Sequence, residues 1–294
     1  MVCGQRPPSA PSIDVRAPRL DAVGEDTGSY RLGEARFSDA AAEIERLRLQ
    51  AELTWGSELR TLREHGLRDD CELLEVGCGP GFVTAQLLRD LPSAVITALD
   101  VDEAMLQHAH SHVGQTSRVQ FLLAPAAATG LEGGSFDVAL ARFVLQHIPG
   151  VPEILAELRR VLRPAGRLIV EDADFAFSIL FEPEPPFAAE LVPAIIESQR
   201  LQGGDGLLGR KLPRLLREAG FADIAVDAVI AHSVVVGREQ IRRIIPDQAV
   251  DHLERAGLIS AELAAEARDY LARTASGEEE FEGMNSFLVV SGTA

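Results

Sequence analysis

The stretch Leu73-Leu74-Glu75-Val76-Gly77-Cys78-Gly79-Pro80-Gly81-Phe82 passes from a short apolar run through three glycines at alternate positions into a helical pattern. That order reads as a buried strand, a tight turn and a helix N-terminus. Glycines let the backbone turn sharply and approach a ligand that any Cβ would exclude. The new helix also presents free N–H groups to such a ligand. Two ligand classes use a loop of this kind. The dinucleotide fingerprint Gly-x-Gly-x-x-Gly needs its third glycine for close helix–strand packing, and Phe82 stands there. The pattern Glu-x-Gly-x-Gly-x-Gly is met in full by Glu75, Gly77, Gly79 and Gly81.

Outward from this loop, short runs rich in Val, Ile and Leu alternate with helical stretches. Strands are expected at Glu72–Val76, Ala94–Leu99, Val119–Leu123, Phe136–Ala141 and Arg167–Glu171, with helices at Phe82–Leu91, Glu103–Val113 and Pro152–Leu162. Strands and helices alternating at this length imply right-handed βαβ units and a parallel sheet covered on both faces. Upstream, residues 34–65 carry a helical pattern that admits one helix or two, and residues 1–28 read as a disordered leader, with order beginning at Tyr30. Beyond Asp172 the regularity lapses, and Phe175, Phe177, Phe181 and Phe187 lie among prolines. A helix at 207–219, a long strand at Ile224–Val236 and two helices at Arg238–Arg255 and Ser260–Arg273 follow. An acidic loop (Glu278, Glu279, Glu280, Glu282) then leads to a last strand, Ser286–Val290.

Composition narrows the partners. Of 294 residues 46% are apolar, enough for a sizeable core. The 45 acidic residues outnumber 28 basic ones, a net charge of −17 that argues against nucleic acid and acidic lipid surfaces. No apolar run approaches the roughly 20 residues that span a bilayer, and residues 1–28 lack the apolar core of a signal peptide. Cys3, Cys71 and Cys78 are spaced for neither a zinc site nor a disulfide framework, so no metal and a reducing, cytoplasmic setting are expected.

Three further segments bear on the ligand. Asp100 ends the second strand 19 positions after Gly81, where a carboxylate can accept both ribose hydroxyl protons; Asp102 is the better N-cap for the next helix. After the third strand comes Leu123-Ala124-Pro125-Ala126-Ala127. The fourth runs through Phe136-Asp137-Val138-Ala139-Leu140-Ala141-Arg142-Phe143-Val144-Leu145-Gln146-His147, and Leu162-Arg163-Pro164-Ala165-Gly166 precedes the fifth.

Over about residues 30–225 these motifs resemble the class I S-adenosylmethionine-dependent methyltransferases, in particular a bacterial small-molecule subgroup. The resemblance implies an α/β fold: a Rossmann-like, seven-stranded, mostly parallel sheet with helices on both faces and an antiparallel last strand. It also implies an N-terminal helical cap (29–68) and a cofactor domain (69–294), whose segments 173–206 and about 238–280 are acceptor-side lid insertions. The implied cofactor is S-adenosylmethionine. Its loop would be Glu75, Gly77, Gly79 and Gly81, with Asp100 on ribose, Val101 and Met105 lining the adenine pocket, and the Ala126 N–H on adenine. Pro125 replaces the aspartate that the family usually carries there, so that side-chain contact is missing. The resemblance places Arg142 and Gln146 beside the methionine part, and Tyr30 and Arg46 over its carboxylate. Gln50 lies one turn beyond Arg46 on the same face; Arg46 reads equally well as a surface residue.

A sulfonium methyl group is already electrophilic, so such a protein chiefly positions two reactants and excludes water. A base matters only where the nucleophile must lose a proton. His147 is the first candidate, because imidazole titrates near neutrality. Glu171 and Asp172, at the carboxyl end of strand five, are expected to face the ligand crevice, with Asp174 close by. His108 and His112 share a helix face and read as solvated side chains. The phenylalanine-rich segment suggests a small-molecule acceptor that is apolar or aromatic in part, and a homodimer is admitted. The function expected is methyl transfer to oxygen, nitrogen or carbon of a small molecule, in secondary metabolism by the resemblance. The alternatives are the same cofactor in non-methylating chemistry such as cyclisation, a non-catalytic binding module, or a nicotinamide dehydrogenase, against which Phe82 speaks.

Overall fold

A computed structural model describes residues 40–243 and 247–294. The expected leader at 1–28 and Tyr30 lie outside the described residues. The helical stretch before the first strand is two helices, α1 (Ala40–Leu53) and α2 (Trp55–Glu64). They part at Thr54, whose carbonyl accepts the N–H groups of Ser57 and Glu58 and so closes the first turn of α2.

The α/β unit follows as β1 (Glu72–Val76), α3 (Phe82–Asp90), β2 (Val95–Asp100), α4 (Glu103–Val113), β3 (Val119–Leu123), β4 (Phe136–Arg142), α5 (Val151–Val161) and β5 (Leu162–Asp172). A single 3-10 turn, Leu145–His147, links β4 to α5. Then come β6 (Ile179–Glu182), α6 (Ala188–Leu201), α7 (Leu208–Glu218), β7 (Ala222–His232), α8 (Ser233–Val236), α9 (Arg238–Arg243), α10 (Asp247–Arg255), α11 (Ala261–Ser276) and β8 (Glu282–Thr293).

The sheet runs β3-β2-β1-β4-β5-β8, with β7 on the outer side of β8. β1 to β5 are parallel, and β8 is antiparallel to both of its neighbours. β8 is longer than the sequence suggested because its first half pairs with β6, Asn285 opposite Ile179 and Glu282 opposite Glu182. Asn285 and Met284 pair with β6 on one side and β7 on the other, so β6 continues the lane of β5. Eight strands thus occupy the seven expected lanes.

Both faces are covered, as the near-continuous apolar strands require. In β1, Leu73 packs with Leu62, Leu87 and Leu106 under α2, α3 and α4, while Leu74 packs with Leu155, Leu158 and Leu212 under α5 and α7. Each such fully buried leucine contributes about 1.5–3 kcal/mol over its exposed state. A smaller cluster of Phe187, Val250, Leu263, Ala267, Tyr270 and Leu271 joins α6, α10 and α11.

Two expectations about the C-terminal region are corrected. The strand read through to Val236 ends at His232, whose imidazole Nδ1 accepts the Val234 N–H and caps the short helix α8; the β-branched run predicted extension, but this local cap won. The stretch read as a helix over Arg238–Arg255 is helical at Arg238–Arg243 (α9) and at Asp247–Arg255 (α10), with residues 244–246 outside the described residues. Glu282, placed in the acidic loop, opens β8.

Candidate functional site

A cavity of about 1450 Å³ opens at the carboxyl ends of the parallel strands and reaches out to α6, α10 and α11. Its inner end is bordered by Glu75, Gly77, Gly79, Asp100, Val101, Met105, Ala126, Arg142 and Gln146, which the structure therefore brings together.

The glycine loop is fixed by backbone bonds. The N–H groups of Gly77 and Cys78 both donate to the carbonyl of Leu99, at 2.8 and 2.9 Å, tying the end of β1 to the end of β2. The Gly79 N–H donates to Asp100 Oδ2 at 2.8 Å, and the Asp102 N–H to Asp100 Oδ1 at 2.9 Å. Burial nevertheless pushes the Asp100 carboxyl above its ordinary range, against the pull of these N–H groups. Asp102 caps α4, accepting from the Ala104 N–H at 2.8 Å. Gly81 does not border the cavity: it sits at a positive φ of 82°, where a Cβ would stand 2.9 Å from Ala109 Cα. It lets α3 start against α4, which makes it a packing glycine. Glu75 is buried and accepts from Thr84 Oγ1 at 2.7 Å; burial lifts its carboxyl to about 7, with the Thr84 bond opposing.

Arg142 ends β4 at the cavity floor. Its Nε donates to Glu58 Oε1 at 2.6 Å, and its Nη2 to Glu58 Oε2 at 3.0 Å and to the Gln50 carbonyl at 3.2 Å. Glu171 Oε2 lies 3.4 Å from Nε. Arg46 also borders the cavity, but its guanidinium is held by Glu43 at 2.7 Å and by Gln50 at 3.4 Å.

Glu171 and Asp172 require a correction. Neither borders the cavity, and both side chains are fully buried beneath it. β5 lies between β4 and β8, where Arg142 and Glu58 stand against Glu171 and the N–H groups of Gln146 and Leu145 against Asp172. Burial pushes both well above the carboxylate range; for Glu171 the nearby Glu58 charge adds to this and Arg142 opposes it, and for Asp172 the N–H groups of Gln146 and Leu145 oppose it. Asp174 is ion-paired with Arg210, its Oδ1 accepting from Nη2 at 2.7 Å.

His147 does border the cavity. Its Nδ1 lies 2.7 Å from Gln199 Nε2 and its Nε2 lies 3.1 Å from Gln146 Nε2. Gln146 in turn accepts the Ala173 N–H on Oε1 at 3.1 Å. Nearby, Ser198 Oγ and Gln202 Nε2 reach His252 Nε2 at 3.0 and 3.2 Å. Of the phenylalanines, Phe175, Phe181 and Phe187 border the cavity, whereas Phe177 does not. Among the described residues no group of three or more His, Cys, Asp or Glu is placed to hold a metal ion, and no helix is long and apolar enough to cross a membrane.

Sequence reasoning missed Glu58, Ser198, Gln199, Gln202, His252 and Tyr270. The α6 residues carried a usable signal: a polar Ser198-Gln199 with Gln202 one turn on interrupts the apolar run that ends at Ile196. Glu58 carried none, since an acidic residue in the first turn of a helix reads as ordinary dipole compensation.

A family model described as a methyltransferase domain matches residues 74–170. The chain is 29% identical over 179 residues to a demethylmenaquinone methyltransferase of Lactococcus lactis, covering 56% of this chain and 71% of that protein. It is 30% identical over 191 residues to a malonyl-(acyl-carrier protein) O-methyltransferase of Hahella chejuensis, covering 65% and 60%. A 32% identical relative, a 37.1 kDa protein of a Streptomyces fradiae transposon, is spanned over only 43% of its length. Among solved structures, Haemonchus contortus phosphoethanolamine N-methyltransferase 2 with S-adenosylhomocysteine gives a TM-score of 0.55 at 18% identity, over 88% of this chain and 59% of that one. A Bacillus halodurans protein described as a methyltransferase gives 0.52 at 15% identity, over 80% and 97%. At such identities these two likenesses bear on the fold.

Proposed function

We propose that this chain is a class I S-adenosylmethionine-dependent methyltransferase that moves the cofactor's methyl group to a small-molecule acceptor in the outer lobe of the cavity; the methyltransferase-domain match over residues 74–170 and the methyltransferase relatives support this reading. The glycine loop carries the proposal. Gly79 turns at a φ of 54° with nothing within 4 Å of where a Cβ would stand, and its N–H is fixed on Asp100. That is a backbone cradle beside a carboxylate, at the end of a cavity large enough for a second molecule.

The residues present fit a nucleoside with an amino-acid tail. Each Asp100 oxygen accepts one N–H and keeps a further lone pair for a ribose hydroxyl. Val101, Met105 and Ala126 supply apolar surface for adenine; Gly77, Gly79 and Glu75 border the middle; Arg46, Arg142 and Gln146 border the region left for the tail. When bound, the cofactor supplies an electrophilic methyl on a sulfonium centre. The chain's own residues then hold two reactants in line and exclude water. We assign the cap 29–68 and the segments 173–206 and 238–280 to that covering role, since Arg46, Phe175, Phe187 and Tyr270 come from them and border the cavity. His147 is our candidate for taking a proton from the acceptor, being the one of the three expected groups that reaches the cavity.

The curated relatives named above act on different acceptors by their names, so they support a small molecule without selecting one. Placing that molecule in secondary metabolism rests on the sequence resemblance. Calorimetric titration with S-adenosylhomocysteine tests the core of the proposal. Saturable binding that Asp100→Ala weakens supports it; a folded wild type that binds none sinks it.

A further inference from the structure

A cavity of about 1450 Å³ exceeds the roughly 300–1,000 Å³ of a pocket built for one small ligand. The cofactor end accounts for part of it, and the remainder is the lobe under α6, α10 and α11. Phe175, Phe181, Phe187, Leu191, Val250 and Leu253 wall that lobe. The cationic side chains on its border already have partners: Arg242 donates from Nε to the Leu271 carbonyl at 3.1 Å, and Arg243 pairs with Glu45 at 3.2 Å. With six large apolar side chains in this wall, an apolar body fits the lobe best.

One polar group in this wall is fixed with a definite polarity. Gln199 Nε2 donates to the Gln146 carbonyl at 2.9 Å, a group that can only accept, and it approaches His147 Nδ1 at 2.7 Å. The carbonyl contact alone sets which way round the amide sits, because a carbonyl oxygen cannot donate to Oε1. Its carbonyl oxygen, Oε1, is left without a hydrogen bond among the described residues, on a side chain that borders the cavity. A held carbonyl of this kind accepts a hydrogen bond and cannot give one. We propose that Gln199 selects the acceptor: a large, mostly apolar and ring-bearing molecule that presents a hydroxyl or N–H donor to Gln199 Oε1. The proposal rests on the methyl-transfer reading only in calling that molecule the acceptor.

The test uses the full chain saturated with S-adenosylhomocysteine and titrated, by ligand fluorescence, with 1-hydroxypyrene and with 1-methoxypyrene. The two share an apolar ring system, and only the first has a donor. The wild type is expected to bind 1-hydroxypyrene about tenfold more tightly, the size of one neutral hydrogen bond. Gln199→Leu and Gln199→Met are expected to abolish that preference while retaining 1-methoxypyrene affinity and S-adenosylhomocysteine affinity. A wild type that binds neither pyrene, or binds both equally, overturns the proposal, as does a preference that survives in both variants. Retained S-adenosylhomocysteine binding in those cases leaves the cofactor reading standing. Loss of S-adenosylhomocysteine binding by the folded wild type is the separate failure of that reading.

Discussion

Arg142 Nε stands 2.6 Å from Glu58 Oε1, so the last residue of β4 is held from the cap helix α2 by a pair of buried charges. Glu171 waits 3.4 Å from the same nitrogen as a second carboxyl, which burial and the Glu58 charge push well above the carboxylate range. Breaking a buried pair from one side costs about 3–5 kcal/mol when the other charge is stranded. Here it is not stranded. Glu58→Gln removes the neighbouring negative charge that helps keep Glu171 protonated, so Glu171 can ionise and take over Arg142. Glu58→Gln and Glu171→Gln are each expected to cost less than about 3 kcal/mol, and the double variant more than their sum. Urea unfolding of the four proteins checks this; simple additivity would discard the exchange.

Glu75 makes stability depend on pH in a stated direction. Its carboxyl is lifted from 4.5 to about 7 by burial, so between those values the folded chain holds a proton that the unfolded chain has released. Stability is therefore greatest below pH 4.5 as far as this group is concerned, and is lost as pH rises through 7. A shift of that size corresponds to about 3 kcal/mol. Glu75→Gln keeps an oxygen for Thr84 and cannot ionise. Asp100, Glu171 and Asp172 are displaced in the same sense and remain in both proteins. The difference in unfolding free energy between the two proteins, measured from pH 5 to 8, should shift by about 3 kcal/mol toward the variant. A flat difference would mean that Glu75 does not titrate in this window.

Gly79 and Gly81 share a positive φ but not a neighbourhood. Gly81→Ala drives a methyl into the Ala109 backbone, where nothing flexible can give way. Left-handed strain of about 1–2 kcal/mol plus overpacking of about 1–3 kcal/mol should lower stability while the surviving folded protein still binds S-adenosylhomocysteine. Gly79→Ala meets no atom within 4 Å and carries the strain alone, but its methyl stands in the cofactor space. Unfolding curves and calorimetry on both variants should show the two losses exchanged, stability for Gly81 and affinity for Gly79. Equal affinity losses would return Gly81 to the binding loop.

The legible part of this molecule was the part written in local pattern. Strands such as Leu73–Val76, apolar on both faces, and the Glu75-to-Gly81 loop declare a parallel sheet and its ligand turn, because backbone geometry there depends on residues adjacent in sequence. Glu171 and Asp172 were placed at the right strand end and given the wrong surroundings, since the groups that bury them, Glu58 and Arg142 for one and Leu145 and Gln146 for the other, lie far away in the chain. Gln199 shows the same limit. Its meaning comes from Gln146, some fifty residues earlier, and from the way a backbone carbonyl orients one amide.

Asp100 and Asp102 lie two residues apart and do different work, which a pair of substitutions separates. Asp102 Oδ1 accepts the Ala104 N–H at 2.8 Å and caps α4, so Asp102→Ala should cost about 0.5–2 kcal/mol of stability and leave cofactor affinity nearly intact. Asp100 holds the Gly79 N–H on one oxygen and the Asp102 N–H on the other. In Asp100→Asn one of those oxygens becomes an amide nitrogen that confronts an N–H instead of accepting it, and the loop loses its anchor along with an acceptor for ribose. Losing a hydrogen bond to a charged group, about 1.5–3 kcal/mol, predicts S-adenosylhomocysteine affinity lower by about 10- to 150-fold. Calorimetry on the two variants decides it. If Asp102→Ala loses affinity as severely as Asp100→Asn, the carboxylate at 100 serves the turn and not the ligand.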